Sequence, residues 1–142
     1  MICLTTSLKR NQTVGADSSF VLRLLIGDPP KQADKAVAIL DELKSKGQQI
    51  AVSDLVVAEA YFALQHHYEV PKAEALAALR GFLESSDTIA LGVAGKMISE
   101  KKLSAANPGF VDRMVHGEYF ESCGGMLSFE KAAKKLPGVE VL

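Results

Sequence analysis

Short strand-like segments alternate with longer amphipathic segments along the chain, and this alternation most constrains the fold. Helical patterns fill the intervals between strand candidates at residues 13–17, 49–52, 88–91, 126–129 and 139–142. Strands that alternate with helices in this way form βαβ units, in which the strands run parallel. The sequence therefore predicts an α/β fold with three layers, α/β/α, around a central and mainly parallel sheet.

The length and composition favour one soluble domain. A chain of 142 residues with 48% apolar residues can bury a full hydrophobic core. No apolar run approaches the ~18 residues of a membrane-spanning helix, and the first residues lack the pattern of a signal peptide. We therefore expect a cytoplasmic protein that does not enter membranes. The net charge of −1 argues against a broad basic surface, so any contact with nucleic acid must be local.

Three acidic residues lie at predicted strand ends or helix starts. In parallel sheets, ligands bind at the carboxyl ends of the strands. Asp17 ends the first strand, Asp112 lies in the first turn of a helix that starts at Phe110, and Glu130 follows the strand at residues 126–129. Each also has an ordinary structural interpretation, as a helix cap, a partner of the helix dipole or the start of a surface helix. Ser18 and Ser19 could provide the cap in place of Asp17.

A fourth acid, Glu59, lies within the helix predicted from residue 54 to about residue 67. The apolar residues three or four positions away place it on or beside the apolar stripe; they are Leu55, Val56, Phe62 and Ala63. A buried carboxylate is costly unless it is paired or binds a metal. The alternatives are a position at the edge of the stripe or an ion pair with a residue such as Arg23.

The four acids are informative as a set. If they converge, two carboxylates about 5 Å apart at an effective dielectric near 20 repel each other by roughly 3 kcal/mol. A hard divalent cation removes that repulsion, and ligands that are all oxygens suit magnesium or manganese. The sequence therefore predicts a Mg²⁺ or Mn²⁺ site.

Four short motifs surround these acids. They are residues 17–25 (DSSFVLRLL), 52–59 (VSDLVVAE), 110–112 (FVD) and 127–130 (LSFE), the last followed by LPGVEVL at residues 136–142. Together they resemble the motifs of the PIN-domain family, and within it the VapC-like toxins of toxin–antitoxin pairs. Their order and spacing match over residues 13–142, which leaves residues 1–12 as an N-terminal extension.

The resemblance implies a metal-dependent ribonuclease that hydrolyses RNA phosphodiester bonds. It implies that Asp17, Glu59 and Asp112 are the core metal-binding and catalytic acids, with Glu130 in the fourth place. It also implies a hydroxyl role for Ser18 beside the metal. By the same resemblance we expect an antitoxin partner, which covers the pocket, and a homodimer.

This chain departs from the family pattern in three places. Glu130 stands where the family usually has Asp, so its longer side chain reaches the metal through water or weakens the site. His116 lies one turn after Asp112, where a small residue is usual, and could contact substrate. Residues 1–12 precede the usual start of the family.

Two other interpretations remain open. One is a PIN-like module that binds metal or protein but has lost cleavage, which Glu130 and the lack of a basic groove favour. The other is a doubly wound phosphoacceptor or nucleotide-binding domain, which would not explain Glu59 on an apolar stripe. The positions of the four carboxylates discriminate among all three.

Overall fold

The structure, a computed structural model, describes residues 13–142. The predicted extension, residues 1–12, and Cys3 within it lie outside the described residues. The strands are β1 (Thr13–Gly15), β2 (Gln49–Val52), β3 (Thr88–Ala90), β4 (Met126–Ser128) and β5 (Val139–Val141). The α-helices are α1 (Ser18–Ile26), α2 (Pro30–Ser45), α3 (Asp54–His66), α4 (Lys72–Glu84), α5 (Ala94–Ile98) and α6 (Phe110–Cys123). Short 3-10 helices cover Leu103–Ala105 and Lys131–Lys135.

The described strands form two parallel sheets. One has the order β1-β2-β3, with Val14 opposite Ile50 and Ala51 opposite Ile89. The other pairs β4 with β5, with Leu127 opposite Glu140. The predicted α/β class with parallel strands is confirmed, and the arrangement is consistent with a small three-layer α/β/α fold. The strands are divided between two sheets, whereas the sequence analysis placed them in one.

The core lies around β2 and the helices that follow it. β2 is buried because it pairs on both sides, with β1 and with β3. Helix α3 adds an apolar face of Val57, Ala60, Tyr61 and Leu64, all buried. The Tyr61 ring meets the buried ring of Phe110 edge-on, with 5.4 Å between the centroids. This aromatic contact joins α3 to the start of α6.

Most predicted helices have the predicted ends, but α5 is shorter than expected. The sequence predicted a helix over about residues 93–103, whereas α5 stops at Ile98. The side chain of Arg80 donates hydrogen bonds to the carbonyl groups of Ile98 and Glu100, the shortest at 2.6 Å. Lys102 then adopts a left-handed conformation with φ of 56°, which no α-helix accommodates. Among residues 13–142, no helix is long and apolar enough to cross a membrane.

Candidate functional site

Asp17 lies two residues beyond β1 and caps helix α1. Its Oδ1 accepts a hydrogen bond from the Ser19 hydroxyl at 2.6 Å and another from the Phe20 backbone N–H at 3.1 Å. Of the two alternatives for the N-cap, the structure has Asp17 and not Ser18 or Ser19, because the Asp17 side chain accepts the backbone bond. These hydrogen bonds, that of Ser19 foremost, lower the pKa of Asp17 below its usual value. The carboxylate is therefore ionised at neutral pH.

The parallel sheet brings Asp17 to the edge predicted for a ligand. The backbone N–H of Ala16 donates to the Ala51 carbonyl at 3.0 Å, so the β1–β2 pairing continues to the residue before Asp17. Helix α1 packs on both α2 and α3. Asp17 lines a largely apolar cavity of about 370 Å³ together with Val14, Phe20 and Leu43.

Ser18 and Ser19 differ in their contact with Asp17. Ser18 is the half-buried first residue of α1, and the hydroxyl that contacts Asp17 is that of Ser19. An Asp followed two residues later by Ser is a common local hydrogen-bonding pattern in turns and caps, so this signal was available in the sequence. The role of Ser18 beside a metal stays a prediction.

Glu59 is exposed, and the argument that it lies on the apolar stripe was wrong. Two of the residues that defined the stripe are themselves exposed, Leu55 at 73% and Phe62 at 46%. The buried face of α3 is the one that carries Ala60 and Leu64 instead. Glu59 therefore has no desolvation cost that would demand a metal, and its ligand role rests on the motif alone.

Asp112 and Glu130 line the same cavity, although 17 residues separate them in the sequence. The cavity has a volume of about 330 Å³ and lies between α6, β4 and the 3-10 helix that follows Glu130. Asp112 is exposed in the first turn of α6. At the end of β4, the backbone N–H of Glu130 donates to the Ser128 hydroxyl at 2.9 Å, which fixes the turn that carries Glu130.

His116 lies inside the protein and lines a different cavity from that of Asp112 and Glu130. Its Nε2 is 2.7 Å from the Pro137 carbonyl oxygen. Because a carbonyl only accepts, Nε2 must carry the hydrogen. The ring also stacks on Phe120 at 5.5 Å between centroids. These contacts link α6 to the segment before β5, and contact with substrate stays a prediction.

A second pair of carboxyl groups, which the sequence analysis did not single out, connects three helices. The two oxygens of Asp54 accept the backbone N–H groups of Val93 at 3.0 Å and Ala94 at 2.9 Å, so α3 holds the start of α5. Glu118 of α6 hydrogen-bonds to Asp54, and this contact raises the pKa of Glu118. No local pattern in the sequence indicates this role of Asp54, because its partners lie 39 or more residues away.

The four predicted acids have the ligand atoms that a hard cation prefers, but the fold does not bring all four together. All offer carboxylate oxygens, which Mg²⁺ and Mn²⁺ prefer. Within residues 13–142, however, no three His, Cys, Asp or Glu side chains come together as a metal-binding group. The fold has collected Asp112 with Glu130, while Asp17 lines another cavity and Glu59 faces solvent.

Comparisons of the chain with protein-family models, with curated proteins and with solved structures gave no match.

Proposed function

We propose that this protein is an endoribonuclease that depends on a divalent metal. The observation that carries the proposal is the shared cavity of Asp112 and Glu130, which unites acids from two separate family-like motifs. Two carboxylates on one cavity offer the oxygen ligands that a hard divalent cation prefers.

Asp17 supports the same proposal from the other sheet. It occupies the carboxyl end of a parallel strand, where α/β folds bind ligands. The Ser19 hydroxyl and the Phe20 N–H keep it ionised and fix its orientation. A carboxylate that is charged and oriented before substrate arrives can act as an anionic ligand or hold a water molecule in place.

In this proposal Asp112 and Glu130 would hold Mg²⁺ or Mn²⁺ in their shared cavity, and Asp17 and Glu59, which lie outside it, are the further acids of the set. The ion would supply an activated water and neutralise the charge that develops on the phosphate. In this proposal the side chains around those acids bind the RNA phosphate and orient it. Ser18 and His116 remain candidates for contact with the substrate.

The proposal extends to partners. A VapC-like protein would be the toxin of a toxin–antitoxin pair, act in the cytoplasm and form a homodimer. Its antitoxin would cover the acidic cavity, with an Arg set against the carboxylates, because a guanidinium matches a carboxylate with two parallel hydrogen bonds.

One observation favours a second candidate, a PIN-like module that binds a protein and has lost cleavage. Large apolar side chains line the cavity of Asp112 and Glu130 and are also exposed to solvent, namely Val115, Tyr119 and Leu127. Apolar groups clustered at the surface mark sites of protein contact. The same surface serves an antitoxin in the nuclease proposal, so cleavage itself must separate the two candidates.

The test is single-turnover cleavage of a mixed RNA pool with Mn²⁺, with chelator as the control. Asp112→Asn and Asp17→Asn keep the side-chain shape and remove a charged oxygen ligand. We expect each to lower the rate by at least ten- to a hundredfold, the scale on which altered metal sites lose function. Glu130→Gln should cost less, and Glu130→Asp should hold or raise the rate.

Asp41→Asn is the matched control, because Asp41 is an exposed acid of α2 outside both cavities. Its rate should equal that of the unmutated protein. If the unmutated protein shows no cleavage that chelator blocks, the binding module replaces the nuclease. Equal cleavage by Asp17→Asn, Asp112→Asn and the unmutated protein would assign the activity to a contaminant.

A further inference from the structure

Two adjoining cavities lie along α1 and α2, and together they are called the α1–α2 groove. Their volumes are about 370 Å³ and 270 Å³, and Phe20 and Ile39 line both. Asp17 lines the first cavity, and Arg23 and Lys35 line the second. A ligand that follows the groove therefore meets two cations, an aromatic ring and then the carboxylate.

Arg23 is held in position across the groove. Its Nε donates to the Oε1 atom of Gln32 at 2.6 Å, so one residue of α2 orients the guanidinium of α1. This bond uses one of the five N–H donors of the guanidinium. Neither Arg23 nor Lys35 belongs to a salt bridge in the described part of the chain. Among the described residues, neither side chain would have to leave a salt bridge to bind an anion, although the charge of Arg23 does act on the Asp17 carboxylate and helps to lower its pKa.

The two faces of α2 differ in charge. The face toward the groove presents Gln32, Lys35 and Ile39, so its only charge is positive. Asp34 and Asp41 are exposed outside the groove. A protein of net charge −1 can thus offer a local site to a polyanion along this line, although its surface as a whole does not attract one.

We infer that the α1–α2 groove binds single-stranded RNA and leads it to Asp17. Arg23 and Lys35 contact successive phosphates, and the ring of Phe20 lies beneath a base. A positively charged track combined with an aromatic platform is how proteins hold single strands without reading their sequence. At about 370 Å³ and 270 Å³, the two cavities lie just above and just below the lower limit of roughly 300 Å³ for ligand pockets, so they suit single unstacked bases and not a duplex. The inference rests on the proposed function, for which it names the form of the substrate.

The test measures binding separately from cleavage. A fluorescent single-stranded RNA of mixed sequence is titrated by anisotropy with chelator present, over a series of salt concentrations. Each phosphate contact that is lost should reduce the slope of log K against log salt by about 0.7. We expect Arg23→Ala and Lys35→Ala each to weaken binding about three- to tenfold and to lower the slope by that amount.

Lys31→Ala is the matched control, since it removes the same charge from the exposed part of α2 outside the groove. It should leave the slope unchanged. Phe20→Leu keeps an apolar side chain but removes the aromatic face, and should weaken binding about tenfold with no change of slope. Because Phe20 also packs against the core, its melting temperature is measured alongside. A duplex of the same sequence should bind more weakly than the single strand.

The outcomes separate the two proposals. Binding through the groove without chelator-sensitive cleavage keeps this inference and overturns the nuclease. Cleavage with unchanged affinity and slope in Arg23→Ala and Lys35→Ala overturns the inference and keeps the nuclease. If the groove variants instead change the oligomeric state in sedimentation and leave RNA binding intact, the groove is an interface between copies of this chain, and the inference is wrong.

Discussion

Strands β2 and β4 both belong to parallel sheets, yet they are buried to very different extents. Ile50 and Val52 of β2 are 2% and 1% exposed, whereas Leu127 of β4 is 69% exposed and Phe129 just beyond it is 81% exposed. The cause is the packing of helices, because the side chains of Ile50 and Val52 belong to a core cluster with residues of α1, α3 and α4, whereas β4 pairs with β5 alone and its Leu127 lies outside that cluster. A two-stranded ribbon leaves much apolar surface uncovered and is marginal by itself.

This difference in burial distinguishes the region that contributes most to stability from the region that carries the proposed site. The region around β2, α3 and α4 supplies most of the largest fully buried side chains. The region of α6, β4 and β5 instead gathers Asp112 and Glu130 and leaves apolar side chains in solvent. Regions with few buried contacts open most readily, and sites that close on a ligand or partner are drawn from them. We therefore expect the second region to gain order when it binds.

The largest expected effect tests where the stability lies. Leu64→Ala should lower the free energy of unfolding by about 2–5 kcal/mol, because it empties a fully buried site on α3. Leu127→Ala removes the same side chain from an exposed position on β4 and should change stability by less than about 0.5 kcal/mol. Urea unfolding of both variants measures the difference. Equal losses would mean that the two regions do not differ in packing.

A smaller effect tests the connection that Asp54 makes between α3 and the start of α5. A Cβ at Gly92 would overlap the Asp54 carboxylate, which is bound to the Val93 and Ala94 amides. Gly92→Ala should therefore cost about 1–3 kcal/mol, through overpacking or through loss of these hydrogen bonds. Gly81→Ala is the control, since Gly81 lies within α4 and a Cβ there meets open space. It should stabilise the protein by roughly 0.5–1 kcal/mol.

A double substitution shows whether Asp54 is the cause. In an Asp54→Ala background the carboxylate is gone, and adding Gly92→Ala should cost much less than it does alone. Thermal unfolding of the four proteins in this cycle measures the coupling. Additive losses would place the collision at Gly92 with some other group.

Local sequence patterns predicted the helices and strands of this fold, but not the surroundings of each acidic side chain. Gly27, with φ of 77°, ends α1 where the sequence predicted. Alternation of strands and helices was enough to predict parallel pairing. Glu59 was misplaced because Leu55 and Phe62 are apolar residues that this fold leaves exposed, and helical periodicity marks an apolar face without saying that it is covered.

The contacts that the sequence could not supply are those between distant residues. The sequence gives no local pattern for the bond from Asp54 to the Val93 and Ala94 amides or for that from His116 to Pro137, since each joins residues at least 21 positions apart. Likewise, spacing alone could not predict that Asp112 would share a cavity with Glu130 but not with Asp17. Such facts depend on how whole elements pack.

The smallest expected effect compares the two regions through their dependence on pH. Hydrogen bonds lower the pKa of Asp17 in the folded protein below 3.8, whereas contact with Asp54 raises that of Glu118 above 4.5. For Asp17 the contribution to stability is present above pH 3.8 and is lost as pH falls through the lowered folded value. For Glu118 the folded state holds an extra proton just above pH 4.5, so stability falls as pH rises through that window.

Asp17→Asn should therefore flatten the acid side of the stability profile, and Glu118→Gln should flatten the window above pH 4.5. Both groups are exposed and solvent screens them, so each change should be smaller than that of Gly92→Ala. Asn is as good an N-cap as Asp, so Asp17→Asn should leave the fold intact at neutral pH while it removes cleavage. Urea midpoints between pH 3 and pH 7 measure both slopes, with Asp41→Asn as the control of equal charge. If both substitutions changed the slope of stability against pH in the same direction, the opposite environments of Asp17 and Glu118 would be contradicted.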